Sequence, residues 1–424
     1  MLWKNEGDMR IHSAGRWLAL ALLGMAGLAG AAESCGPACE GNWVAAWGTA
    51  QQLAPPPRAI PSAVTPPARV ARQTVRMIAR PTVSGSALRV ALSNSFNHAA
   101  VRIDAAHVAR HAGGGAIDAA SGRSLSFGGR PWVVLPPGAQ VYSDPIAFDV
   151  AAQGDLAISL YLEADSGPTT AHAIGLRTAW LAPGNQVSAA RLNEATSFSS
   201  YLWLAGIDVR AADHAATIVA FGDSITDGFS TTPDADMAWP SILARRLAAQ
   251  RDHPPRAVIN MGISGNRILR EGAGSSALAR FDRDVLARPG ARHVLLLEGI
   301  NDIGFLAFAG NDPTEQLTVE DIIAGYRMLI ERARLHGLRI IGGTLMPFEG
   351  VPTYSESAER MRRQVNEWIR TSGAFDAVVD FDAATRDPVA PTRLRAAFDS
   401  GDHIHPNDAG NQAMADAIDL DLFR

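Results

Sequence analysis

Two short segments of this chain carry residue types suited to covalent chemistry. Ser224 lies in Phe221-Gly222-Asp223-Ser224-Ile225-Thr226-Asp227-Gly228, and Asp402 and His405 lie in Asp402-His403-Ile404-His405-Pro406-Asn407. A serine hydroxyl is a poor nucleophile until a base takes its proton. Imidazole is the usual base, and it works best when a carboxylate holds its tautomer and stabilises the imidazolium. An Asp three residues before a His, on a turn, can point both side chains the same way. Each segment also has a plainer reading. Ser or Asp before a helix is ordinary capping, and His403 with His405 resembles a metal pair. A dinuclear metal site needs further His and carboxylate clusters, and Asn266 is followed by Arg267 rather than His. The serine reading is therefore preferred, with no metal.

Two more segments offer what a tetrahedral oxyanion needs. Asn260-Met261-Gly262-Ile263-Ser264-Gly265-Asn266 contains Gly265, which can bring a bare backbone N–H close to a substrate. Glu298-Gly299-Ile300-Asn301-Asp302 contains Asn301, a neutral side-chain donor. Taken singly, each reads as ordinary turn chemistry.

These segments gain meaning from the elements that must position them. Near Asp213 the hydrophobic pattern changes to short apolar runs separated by helical stretches. The runs are 218–221, 257–261, 294–297, 338–341 and Val378-Val379 with Phe381. The stretches are 239–250, 319–336 and 356–370. In the middle one Ile322, Ile323, Tyr326, Leu329, Ile330 and Ala333 mark one helical face. Thr318 with Asp321 forms a capping-box-like start, and Gly337 is a fitting stop. Five continuous apolar strands alternating with helices predict an α/β fold with a parallel sheet covered on both faces. Ligands bind beyond the carboxyl ends of such strands, where four of the five runs lead to a segment named above. From Thr74 to Val209 the period is two instead. Leu88, Val90 and Leu92 alternate with smaller or polar residues, as do Leu156, Ile158, Leu160 and Leu162. This predicts an all-β sandwich or jelly roll. The expected organisation is a leader over 1–32, a Cys/Pro-rich arm over 33–70, a β-sandwich domain over 71–210 and a catalytic domain over 211–424.

Taken together, Gly222-Asp223-Ser224, Gly265, Gly299-Ile300-Asn301-Asp302 and Asp402-x-x-His405 resemble the four blocks of the SGNH, or GDSL, hydrolase superfamily, in order. The Gly-x-Ser-x-Gly elbow of α/β-hydrolases is absent around Ser224. Ile225 stands where the motif's name has Leu, a conservative change. The resemblance implies a flavodoxin-like α/β/α domain that hydrolyses carboxylic esters. It implies Ser224 as nucleophile, His405 as base and Asp402 as its orienting carboxylate. It further implies an oxyanion hole from the backbone N–H groups of Ser224 and Gly265 and the Asn301 side chain, without metal or organic cofactor. Trp43 to Trp47, Leu92-Ser93-Asn94 and Ser143-Asp144-Pro145 are similar to secreted bacterial members with an N-terminal β-domain. Three readings follow: an esterase for short acyl groups, including acetyl groups on polysaccharide; a lipase or lysophospholipase; or an exported glycan-binding protein on an inactive hydrolase fold. Phe305, Phe308, Phe348 and Tyr354 either line an acyl pocket, stack on sugar or merely pack.

Composition bounds the partners. The chain has 424 residues, with 47% hydrophobic, 19% charged and a net charge of −5, so no basic surplus marks a nucleic-acid partner. Arg10 and Arg16 precede an apolar run from Trp17 to Ala32 that ends in small residues, the pattern of an export signal. The run is short for a membrane span, which needs roughly 20 residues. The only cysteines, Cys35 and Cys39, suit a small local disulfide in an oxidising space or two free thiols, and cannot complete a metal site. The sequence thus predicts an exported protein acting on a small or polymeric ester.

Overall fold

Alternating apolar side chains between Trp43 and Arg210 form antiparallel strands in the computed structural model, which describes residues 41–53, 66–310 and 316–424. The expected leader over 1–32, Cys35, Cys39 and the prolines at 55–57 lie outside the described residues. One sheet has the order Trp43–Gly48, Leu204–Arg210, Gly85–Ser93, Ile146–Val150, with Gln140–Tyr142 also on Gly85–Ser93. The other runs Thr196–Phe198, Ala179–Pro183, Gln73–Ala79, Leu156–Leu162, Ala105–His111, Ile117–Ser124. Val44, Leu88, Val90 and Ile207 from the first share one apolar core with Val75, Met77, Val108 and Ile158 from the second. Two sheets facing a common core make this region a sandwich.

Two local expectations need correction. Trp43–Gly48 falls within the stretch read as an arm, yet it pairs with Leu204–Arg210 as a full strand. The neighbouring prolines masked its short alternation, and its partner is remote in sequence. The strand Leu156–Leu162 is buried on both faces rather than one. It lies between Gln73–Ala79 and Ala105–His111. Ala157 packs with Ile78, Ala109 and Ile117 under Trp180. Ser159 Oγ accepts a 2.9 Å bond from the buried Arg76 guanidinium. The second cover comes from other segments, which periodicity within one strand cannot report.

The C-terminal half is a five-stranded parallel sheet with helices, as the apolar runs predict. Its strands are Ala216–Gly222, Arg256–Gly262, Ala291–Leu297, Arg339–Gly343 and Ala377–Val379, in spatial order second, first, third, fourth, fifth. This is the flavodoxin-like order, whose ligand crevice opens where the chain reverses direction beside the first strand. Helices Trp239–Ala248, Val319–Leu335 and Glu356–Thr371 match the helical stretches within two residues. Thr318 and Asp321 form the complete capping box. Phe381 does not extend the fifth strand. It begins the helix Phe381–Thr385, because Asp380 caps the Ala383 N–H. Among the described residues no helix is long and apolar enough to cross a membrane.

The two regions share a bonded border. Val258 N donates to Thr82 Oγ1 (2.9 Å), Thr82 Oγ1 reaches Ala46 O (2.9 Å), and Thr217 Oγ1 donates to Ala45 O (3.0 Å). Ala257 of the second parallel strand packs into the sandwich core. The β region is thereby held against the strands that carry the candidate site.

Candidate active site

Ser224 is the first residue of a four-residue helix, Ser224–Asp227, entered directly from the first parallel strand. Asp223 caps it, accepting the Ile225 N–H at 3.0 Å. The turn needs glycine before it: a Cβ on Gly222 would lie 2.2 Å from Leu297 O of the third strand. As the first helical residue, Ser224 has a backbone N–H without an intrahelical acceptor, free to point at a ligand.

His405 comes from the loop before helix Asp408–Asp416, which Asn407 caps. Ser224 Oγ lies 2.8 Å from His405 Nε2, and His405 Nδ1 lies 2.7 Å from Asp402 Oδ2. Asp402 Oδ1 accepts the backbone N–H groups of His405 (2.9 Å) and Ile404 (3.1 Å). Burial alone would raise the Asp402 carboxyl, but these bonds from His405 and Ile404 hold it well below the usual carboxylate range. The Phe229 ring rests on the imidazole at 4.6 Å between centroids. His403 turns elsewhere. It is in the left-handed region, half exposed, with Nδ1 2.6 Å from Asp399 Oδ2. Among the described residues no three His, Cys, Asp or Glu side chains are grouped to hold a metal ion.

Gly265 and Asn301 border the same cavity as Ser224 and His405. Gly265 has φ +79°, and a Cβ there would lie 2.9 Å from that of Ala273, so only glycine fits the turn. Asn301 is in the first turn of helix Ile300–Gly304. Its Nδ2 donates 3.0 Å to Asn266 O, which fixes the amide and leaves its second N–H to spare. The cavity, about 340 Å³, is also lined by Phe229, Ile300, Phe305, Phe348, Val351 and Ile404. Its floor is mostly apolar. Phe308 and Tyr354 stand outside the lining: Phe308 is exposed, and Tyr354 packs edge-on against Phe348.

Below the site lies a residue that sequence reasoning missed. Arg280 is fully buried and reaches Gly222 O (2.8 Å), Met261 O (2.7 Å) and Asn266 Oδ1 (2.8 Å). It therefore ties the ends of the first two strands to the Asn266–Asn301 pair. No local signal marks an Arg among alanines as such a hub. Asp284 pairs with its guanidinium at 3.4 Å and Glu298 at 3.7 Å. Burial pushes Asp223 up to about 7, Asp302 up to about 6, and Glu298 well above its ordinary range.

Residues 220–413 match the model of the GDSL-like Lipase/Acylhydrolase family. This region is a GDSL-like lipase/acylhydrolase domain. The chain is accordingly an ester-bond hydrolase. Solved structures similar to it include a variant of Axe2, an acetyl-xylooligosaccharide esterase from Geobacillus stearothermophilus, at 26% identity over 48% of this chain and 91% of that one, TM-score 0.38. Another is LAE5, an alpha/beta hydrolase enzyme from the Lake Arreo metagenome, at 21% identity over 48% and 92%, TM-score 0.38. No curated protein sequence matches the chain.

Proposed function

We propose that this hydrolase is an exported serine esterase, with a leader over 1–32, a β region that includes the strand Trp43–Gly48, and a catalytic region over 211–424, acting on short-chain carboxylic esters. The acyl group passes to Ser224 Oγ while His405 Nε2 takes the hydroxyl proton and returns it to the leaving alcohol. Water, deprotonated by His405 in turn, then releases the acid. The observation that carries this reading is the 2.8 Å and 2.7 Å relay from Ser224 through His405 to Asp402, opening on an apolar cavity. That cavity suits an acyl tail, since each buried CH₂ contributes about 0.8 kcal/mol.

A series of p-nitrophenyl esters, run beside acetylated xylan and a lysophospholipid, tests the substrate class. kcat/KM should peak among acetate to hexanoate and fall for dodecanoate. A maximum at long chains, with lysophospholipid turned over faster, would favour the lipid reading instead. Failure on every ester would leave the glycan-binding one.

In this reading the backbone N–H groups of Ser224 and Gly265 and the Asn301 side chain receive the oxyanion. Asn301→Ala should lower kcat by about 10²–10³, as for removal of one oxyanion donor elsewhere. KM should change little, because the donor matters most once charge develops on oxygen. A rise in KM alone would make Asn301 a ground-state binding residue.

A further inference from the structure

Behind the candidate oxyanion loop lies another His–Asp pair, and its histidine comes from the β region. His172 ends the strand Thr170–His172 and is buried. Its Nδ1 faces Ala50 O at 2.8 Å, and its Nε2 faces Asp227 Oδ1 at 2.9 Å and Ile174 O at 3.1 Å. Two of these partners are backbone carbonyls, which only accept, and each ring nitrogen faces one. Both nitrogens must therefore donate, so the ring carries two protons and a positive charge. Burial opposes that charge, but Asp227 beside it outweighs the cost and raises the imidazole's affinity for protons.

Asp227 belongs to the helix that Ser224 begins. Its other oxygen, Oδ2, accepts from both Ser264 N (3.1 Å) and Ser264 Oγ (2.7 Å). Ser264 immediately precedes Gly265. The β region also touches this loop directly, where Gln52 Nε2 donates to Ala273 O. Ala273 is the residue whose Cβ faces Gly265. One carboxylate thus spans three things: a β-region cation, the nucleophile's helix and the residue before the oxyanion glycine.

We propose that His172 is a positioning residue that, through Asp227 and Ser264, holds the Gly265 N–H at the place where the oxyanion forms. The inference rests on the reading of Gly265 as an oxyanion donor. It makes the β region part of the catalytic geometry rather than only an attached module. A hydrogen-bond donor must sit within a few tenths of an ångström of its working place to favour the transition state over the ground state. Loosening the loop should therefore act on kcat.

The test uses the full chain with p-nitrophenyl butanoate. His172→Gln keeps one donor toward Asp227 but removes the charge and the second donor. It should lower kcat about tenfold or more with KM within about twofold, since only the transition state loses a donor. Ser264→Ala removes the hydroxyl bond to Asp227 and should lower kcat in the same way. Labelling the histidines with ¹⁵N should show two slowly exchanging ring N–H protons that disappear in His172→Gln. A folded His172→Gln with wild-type kcat would overturn the proposal, as would a single ring N–H in the wild type. Should His172→Gln fail to fold, wild-type kcat in Ser264→Ala overturns it equally. Undiminished hydrolysis by Ser224→Ala would sink the underlying serine-esterase reading and this proposal together, so the two failures are distinguishable.

Discussion

Ser224→Ala should fold as the wild type does and lose nearly all ester turnover. The side chain contributes one hydroxyl at the mouth of a cavity, so its removal opens no core void. The covalent step has no substitute. The other serine bordering the cavity, Ser264, is bonded to the Asp227 carboxylate at 2.7 Å rather than to an imidazole. Losing the nucleophile from such a set costs on the order of 10⁶ in kcat, with the remainder due to the oxyanion donors and binding. The check is kcat on p-nitrophenyl butanoate for purified protein, with circular dichroism to confirm folding. A fluorophosphonate should add its mass to the wild type and not to the variant. Substantial turnover by Ser224→Ala would remove the central assignment.

The second large effect separates His405 from its two neighbours. His405→Ala should cost about as much as Ser224→Ala, because members of one catalytic unit are not additive. Asp402→Asn should be milder, up to about 10⁴ in kcat, for a reason visible in the hydrogen bonds. Asp402 Oδ1 is held by two backbone N–H groups, so an asparagine there keeps its oxygen toward them. Its NH₂ then faces His405 Nδ1, which must accept. The ring is left with its proton on Nε2, where it cannot take the one on Ser224 Oγ. His403→Ala is the internal control. Its ring bonds Asp399 on the exposed side of the loop, so kcat should stay within about twofold, as for surface changes generally. Reversal of the two histidine results, with His403→Ala inactive and His405→Ala vigorous, would overturn the assignment of the base.

Local patterns make the α/β half legible in the sequence. Runs such as 218–221 and 294–297 report their own burial, and Thr318 with Asp321 reports its own cap, because the physics acts within a few residues. The Asp402–His405 pair is equally local, since three residues on a turn suffice to bring carboxylate and ring together. The same kind of pattern hides Trp43–Gly48 as a strand and leaves Leu156–Leu162 one open face, because pairing and cover are supplied from elsewhere in the chain. In the site, the sequence alone names the five residues Ser224, Gly265, Asn301, Asp402 and His405 and the turns that present them. Only the tertiary structure brings Ser224 Oγ to His405 Nε2 across 181 positions, sets Arg280 under Gly222 across 58, and joins His172 to Asp227 across 55. Those contacts depend on how strands order in a sheet and how two regions meet. A buried Arg or His looks like any other in a sequence, because what gives it a task is the set of acceptors that folding gathers around it.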